Sequence, residues 1–221
     1  MKELYKMVKE IEGIVVHTSH QIGKNALSPK VLKAMERVPR DEFVPTDAKR
    51  YAFYNGPLAI GHGQTISQPY IVALMTDLLE PHPEDSILEI GTGSAYQSAV
   101  LSLLVKQVYS MEIIDDLAVE AKKRLNRLGY ANVEVLSADG YYGWPEHAPY
   151  DGIIVTAAAP VVPAPLVGQL KPGGKLVIPV GNPYAYQELM VVGKKQDGKV
   201  ESRNVLAVSF VPLTGEGLSQ P

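Results

Sequence analysis

From residue 84 onward, short apolar runs alternate with stretches of helical period, and this alternation limits the possible folds more than any other feature. SILEI (86–90) precedes a helical pattern over 96–105, then QVYSMEI (107–113), a helix over 116–128 closed by Gly129, and NVEVLSA (132–138). DGIIVTAA (151–158) follows, and a short helix over 164–170 leads through Pro172, Gly173 and Gly174 into KLVIPVG (175–181). Such β–α–β–α order predicts an α/β fold with a doubly wound, mostly parallel sheet and helices on both faces. The last runs, ELMVVGKK (188–195) and NVLAVSFVPL (204–213), have only a QDGK turn region between them. They predict an antiparallel hairpin at the sheet's edge and bring the strands to seven.

The first 80 residues lack this alternation and read as helices and loops. Ser28 is a candidate N-cap with Pro29 at the first helical position, and Val31, Leu32, Met35 and Val38 share one face before Pro39 stops the helix. A second helix opens near Pro69, with Ile71, Val72, Leu74, Met75, Leu78 and Leu79 as its apolar stripe. Arg40 to Gln68, rich in Gly, Pro and small polar residues, reads as one long loop. Loops of that length usually serve a binding site. The 221 residues suit a single domain spanning 1–221, with a helical and loop subregion (1–80) and an α/β core (81–221).

Composition removes several function classes. With no cysteine there are no disulfides or thiolate metal sites, and a net charge of −3 supplies no global attraction to nucleic acid. The basic run Lys122–Arg124 is flanked by acids and reads as a solvated helix face. MKELYKMVKEIEG interleaves charged and apolar residues, and no run approaches the ~18 apolar residues of a membrane span. The expectation is a soluble, cytoplasmic monomer without membrane or nucleic-acid partners. His17 and His20 have no third ligand near them, so no metal is expected. No G-x-S-x-G elbow supports a serine hydrolase.

The residues Glu89-Ile90-Gly91-Thr92-Gly93-Ser94-Ala95 sit where a strand meets a helix. Two glycines let the backbone turn sharply and a ligand come close, and the following helix aims free N–H groups at it. A dinucleotide fingerprint needs a third glycine where this chain has Tyr96, which disfavours NAD or FAD. Glu112 ends the next strand, where a carboxylate can accept both ribose hydroxyls. Asp139-Gly140 follows the third strand, within reach of an adenine amino group. Singly, these are a solvated acid and an Asp-Gly turn; together, they occupy the strand ends where doubly wound sheets bind ligands. The E-x-G-x-G-x-small spacing resembles the first motif of class I, Rossmann-like S-adenosylmethionine-dependent methyltransferases.

A fuller resemblance runs through VPRDEFVP (38–45), GHGQTISQPY (61–70), LEIGTGSAYQ (88–97), PYDGIIVTAA (149–158), LKPGGKLVIPVG (170–181) and FVPL (210–213). In these segments the chain is similar to the protein-L-isoaspartate O-methyltransferases, QTISQP being the most specific. The resemblance implies repair of damaged proteins and peptides. S-adenosylmethionine methylates the free α-carboxylate of an L-isoaspartyl residue, and the ester recloses to a succinimide that can open to normal aspartate. It also implies that Ser67 is the catalytic serine orienting the carboxylate, although by position Ser67 could equally cap the helix opening at Pro69. Glu89, Gly91, Thr92, Gly93, Ser94, Glu112, Asp139, Gly140, Gln64, Thr65 and Tyr70 are expected on the cofactor side. Ile66, Gln68, Pro69 and Thr156 are expected on the substrate side. A carboxylate is already ionised at neutral pH, so no general base is required, and neutral donors avoid over-stabilising the ground state. The chain has Ala95 where relatives commonly have Gly, and Ala164 where many have Gln. Two other readings remain: a methyltransferase of small molecules or RNA, and a non-catalytic cofactor-binding protein.

Overall fold

Alternate residues of the central strands face opposite layers, and that parity builds the interior. Ile87, Val108, Val135, Ile154 and Val177 point one way, whereas Leu88, Ile90, Ile153, Val155, Leu176 and Ile178 point the other. The computed structural model describes residues 2–182 and 185–218. A small hairpin, β1 (Leu58–Gly61) and β2 (Gln64–Ile66), precedes the main sheet. The sheet comprises β3 (Ser86–Ile90), β4 (Gln107–Glu112), β5 (Val133–Ser137), β6 (Tyr150–Val155), β7 (Leu170–Gly181), β8 (Gln187–Lys194) and β9 (Val200–Val208). Their order is β5-β4-β3-β6-β7-β8-β9, parallel from β5 to β7 and antiparallel at the β7–β8 and β8–β9 pairings. This is the doubly wound sheet with an edge hairpin that the alternation implies. The chain winds outward from β3 to β5 and then returns to place β6 on β3's other side. The carboxyl ends of β3 and β6 therefore form a topological switch point, where such sheets open a crevice.

The helices are α1 (Lys2–Ile22), α2 (Pro29–Arg37), α3 (Pro69–Leu79), α4 (Tyr96–Ser102), α5 (Asp115–Leu128) and α6 (Ala164–Gly168). Helices α1 to α5 contribute to the first layer, with Ile11, Met35, Leu74, Ala99 and Ala121 each 0% exposed. Leu166 of α6, Trp144 and Tyr150 cover the second layer. Among the described residues no helix is long and apolar enough to cross a membrane.

Three local expectations change. Ser28 makes no side-chain cap; its backbone N–H donates to Asp77 Oδ1 at 2.6 Å, tying α2 to α3. The stretch from Arg40 to Gln68 is not structureless, for it holds two 3-10 turns (Arg40–Phe43, Thr46–Tyr51) and the β1–β2 hairpin. Its tight corner has positive φ at Gly61, His62 and Gly63. Finally, β9 starts at Val200 and ends at Val208. The residues after it leave the edge and bracket Ala158, whose N–H donates to Val211 O (2.8 Å) and whose C=O accepts from Leu213 N (2.8 Å).

Candidate active site

The glycine loop is pinned to the sheet on both sides. Gly91 N and Thr92 N both donate to Met111 O at the end of β4, at 2.8 and 3.1 Å. From β6, Thr156 Oγ1 donates to Gly91 O at 2.6 Å. Gly91 has φ 93°, and a Cβ there would lie 2.5 Å from Thr156 Oγ1, so only glycine fits. Glu112 is 6% exposed, and its Oε2 accepts from Gly93 N at 2.8 Å and its Oε1 from Ile114 N at 3.0 Å. The carboxylate is thereby fixed at the rim of a small cleft of about 60 Å³ bounded by Gly91, Gly93, Glu112, Gly140, Gln64 and Thr65. Gly140 also admits no side chain, since a Cβ would press on Ile90 Cγ2. Backbone approach at three glycines beside an acceptor-only carboxylate fits a nucleoside carrying a zwitterionic tail, the shape of S-adenosylmethionine.

A second, larger cleft of about 560 Å³ is walled by Pro57, Ile71, Leu206 and Phe210 with Ser67 and Gln68. A narrow space joins the two, where Thr65, Ile66 and Ser67 face Gly91, Thr92, Gly93 and Ser94. Thr65 and Thr156 border all three spaces. Ser67 thus stands where the glycine-loop space meets the apolar cleft. It is half-buried, and its hydroxyl has no hydrogen-bond partner among the described residues.

Residues 15–218 match the family model described as protein-L-isoaspartate(D-aspartate) O-methyltransferase. The chain belongs to that family. It is 59% identical over 210 residues to protein-L-isoaspartate O-methyltransferase 2 of Syntrophobacter fumaroxidans, covering 95% of this chain and 85% of that one. It is 58% identical over 216 residues to the Nitrosococcus oceani protein of the same name, covering 98% of each. Among solved structures it superposes on a protein-L-isoaspartate O-methyltransferase with TM-score 0.81 at 29% identity, over 94% of this chain and 66% of that one. A putative family member from Plasmodium falciparum in complex with S-adenosyl-L-homocysteine shares the fold, with TM-score 0.74 at 24% identity over 93% of this chain and 97% of that one. The chain is accordingly a methyltransferase with the class I fold.

Within this isoaspartate methyltransferase fold, several residues expected at the site sit elsewhere. Glu89 does not border the clefts. It has the parity of Ile87, which turns it inward against α4 with 0% exposure. Its Oε2 accepts from Ser98 Oγ and from Ser110 Oγ (2.6 Å), while Oε1 has no partner among the described residues. Burial pushes its pKa up to about 7, against the two serine hydrogen bonds and with help from the nearby Glu112 charge. Ser110 Oγ also lies 2.6 Å from Thr92 Oγ1, so Glu89 supports the loop from beneath. Asp139 caps a 3-10 turn: Oδ1 accepts from Tyr141 N at 2.9 Å and Oδ2 from Gly217 N at 3.2 Å, leaving Gly140 rather than Asp139 on the cleft wall. Tyr70 borders the apolar cleft, not the cofactor cleft, and its hydroxyl lies 2.7 Å from Thr18 Oγ1. Burial raises the Tyr70 pKa, partly offset by that hydrogen bond. Pro69 is buried at the start of α3 and borders none of the three spaces.

Sequence reasoning missed Ile113 and Ile114 after β4, the wall 211–214, and Ile14 of α1. Their strand-end position could have flagged the first two. The others arrive through contacts distant in sequence, which leave no local pattern. The departure at Ala95 also reads differently: its methyl is 0% exposed in the core at φ 69° and borders none of the three spaces. Ala164 is exposed at the start of α6, away from the same spaces.

Proposed function

We propose that this methyltransferase transfers the methyl group of S-adenosylmethionine to the free α-carboxylate of L-isoaspartyl residues in damaged proteins and peptides, with Ser67 orienting that carboxylate. One observation carries the role of Ser67: an unengaged hydroxyl at the narrow junction of a glycine-lined cleft and an apolar one. Gly91, Gly93 and Gly140 would let the backbone meet the cofactor, and Glu112 would take its ribose hydroxyls. When bound, S-adenosylmethionine supplies an electrophilic methyl carbon on a positively charged sulfur.

The protein's own residues have modest chemical work. A carboxylate with pKa near ~4 reaches the site ionised, so no residue need remove a proton. Attack neutralises two opposite charges, and a fixed cation on the carboxylate would hold the ground state more tightly than the transition state. The Ser67 hydroxyl is a neutral donor that can fix one oxygen while leaving the other to react. Pro57, Ile71, Leu206 and Phe210 exclude water and accept the flanking peptide. We also assign residues 1–221 to one functional unit acting as a cytoplasmic monomer without nucleic acid; the net charge of −3 supports the last point.

Labelled S-adenosylmethionine with an isoaspartyl peptide and its aspartyl twin tests the reaction. Methylation of the isoaspartyl peptide alone is expected; equal labelling of both would overturn the substrate assignment. Ser67→Ala should lower kcat about tenfold, the loss of one neutral hydrogen bond, with the cofactor Kd unchanged. Wild-type turnover in that variant would remove Ser67 from the reaction.

A further inference from the structure

The Ser67 hydroxyl is unengaged, and the amide three residues on, at the start of α3, is held by another side chain. A residue in the cap position accepts from the N–H two or three residues further on, and Gln68 holds that position here. Ser67 stands one residue earlier, and the same reach takes it to Pro69, which has no N–H, and to Tyr70. Tyr70 N donates instead to Asn55 Oδ1 at 3.0 Å. Gln68, in the cap position itself, makes no side-chain cap bond. The start of α3 is therefore capped from a segment twelve residues upstream of Ser67 by numbering, with β1 and β2 between.

We propose that Asn55 is a positioning residue for the methyl-transfer reaction: by capping Tyr70 it keeps the Ser67 hydroxyl available to the substrate carboxylate. This rests on the role given to Ser67 above. Without Asn55, water, the Gln68 side chain and Ser67 would compete for the Tyr70 N–H. A hydroxyl that accepts from the helix can still donate its proton, but it is held in one rotamer and cannot follow the substrate.

The turn that carries Asn55 is braced for this task. Arg40 is 0% exposed, and its Nε donates to Ala52 O at 2.7 Å and its Nη2 to Gly56 O at 3.3 Å, on either side of Asn55. Its guanidinium lies 5.0 Å from the Tyr96 ring centroid. It forms no ion pair among the described residues, and Nη1 lacks a partner. A buried guanidinium without a counter-ion is costly, and the bonds to Ala52 O and Gly56 O offset part of that cost. Here it holds the two carbonyls that set the turn.

A double-mutant cycle tests the proposal, because a residue that merely stabilises the fold would act independently of Ser67. Asn55→Ala should lower kcat about fivefold, the population shift expected when a cap-strength bond competes for the hydroxyl, with KM and cofactor Kd changing less than about twofold. In the Ser67→Ala background, Asn55→Ala should have no further effect on kcat. Asn55→Asp should retain activity, since a carboxylate accepts from the same N–H and suits a helix N-terminus. An impaired Ser67→Ala on which Asn55→Ala multiplies would sink the inference and leave Ser67 standing. A folded but inactive Asn55→Asp would do the same. An unimpaired Ser67→Ala would remove both.

Discussion

Glu89→Gln isolates the cost of burying a charge under the glycine loop. The side chain is 0% exposed, and only one of its oxygens has partners among the described residues. Its pKa is pushed from 4.5 to about 7, chiefly by burial. The sign follows from proton binding. Because the folded state holds this proton more tightly than the unfolded chain, the stabilising contribution is full below pH ~4.5 and is lost as pH rises toward ~7. Each pKa unit is worth about 1.4 kcal/mol, so the loss is about 3 kcal/mol. Glutamine has nearly the same shape, keeps an acceptor for Ser98 and Ser110, and cannot ionise. The stability of Glu89→Gln relative to wild type should therefore rise by about 3 kcal/mol between pH 4.5 and 7.5, then level off. Urea unfolding of both proteins at half-unit pH intervals measures it, and titrations common to both cancel in the difference. The unpartnered amide N–H of glutamine adds a constant offset without changing the slope. A difference that stays flat across this window would refute the claim that Glu89 carries a buried, titrating charge.

Gly91→Ala combines a left-handed backbone with a Cβ 2.5 Å from Thr156 Oγ1, and should cost on the order of 3 kcal/mol of stability and weaken cofactor binding at least tenfold. Calorimetric binding at wild-type affinity would show that the loop has room to spare. Glu112→Ala should weaken the cofactor by about 1–3 kcal/mol, since it strips the ribose acceptor and also releases Gly93 N and Ile114 N; an unaltered Kd would exclude it from the site. Ala95→Gly relieves about 1 kcal/mol of left-handed strain but deletes a buried methyl worth about 0.8 kcal/mol, so thermal unfolding should shift by only a few degrees. A loss above about 3 kcal/mol would mean that the methyl's packing dominates.

The two sides of the cleft were unequally readable from sequence. The glycine loop, Glu112 and Gly140 follow from strand–turn–helix punctuation, because each lies at a strand's carboxyl end and strand ends are marked by local residue choice. Glu89 carried a usable signal that its motif position obscured: strand parity pairs it with Ile87, toward the helices, not with the cleft. For Asp139 the Asp-Gly turn was legible, and its Oδ1 does cap Tyr141 N, but its second partner was not. Its carboxylate is claimed by Gly217 N, 78 residues away in the chain. The hairpin 58–66 was hidden because strands of four and three residues are too short to display a period.

What the sequence determined by itself was the repeating order of strands and helices, and with it the strand carboxyl ends at which such sheets bind ligands. Hydrophobic period and turn chemistry are properties of neighbours in the chain, so they can be read without coordinates. Tertiary structure alone decided which hydroxyl at that point is unengaged. By position Ser67 could cap α3, face the cleft or do both, and whether Tyr70 N needs it depends on whether another segment supplies an acceptor. Asn55 does so, held by a buried Arg40, and no local pattern encodes a hydrogen bond formed across an intervening hairpin.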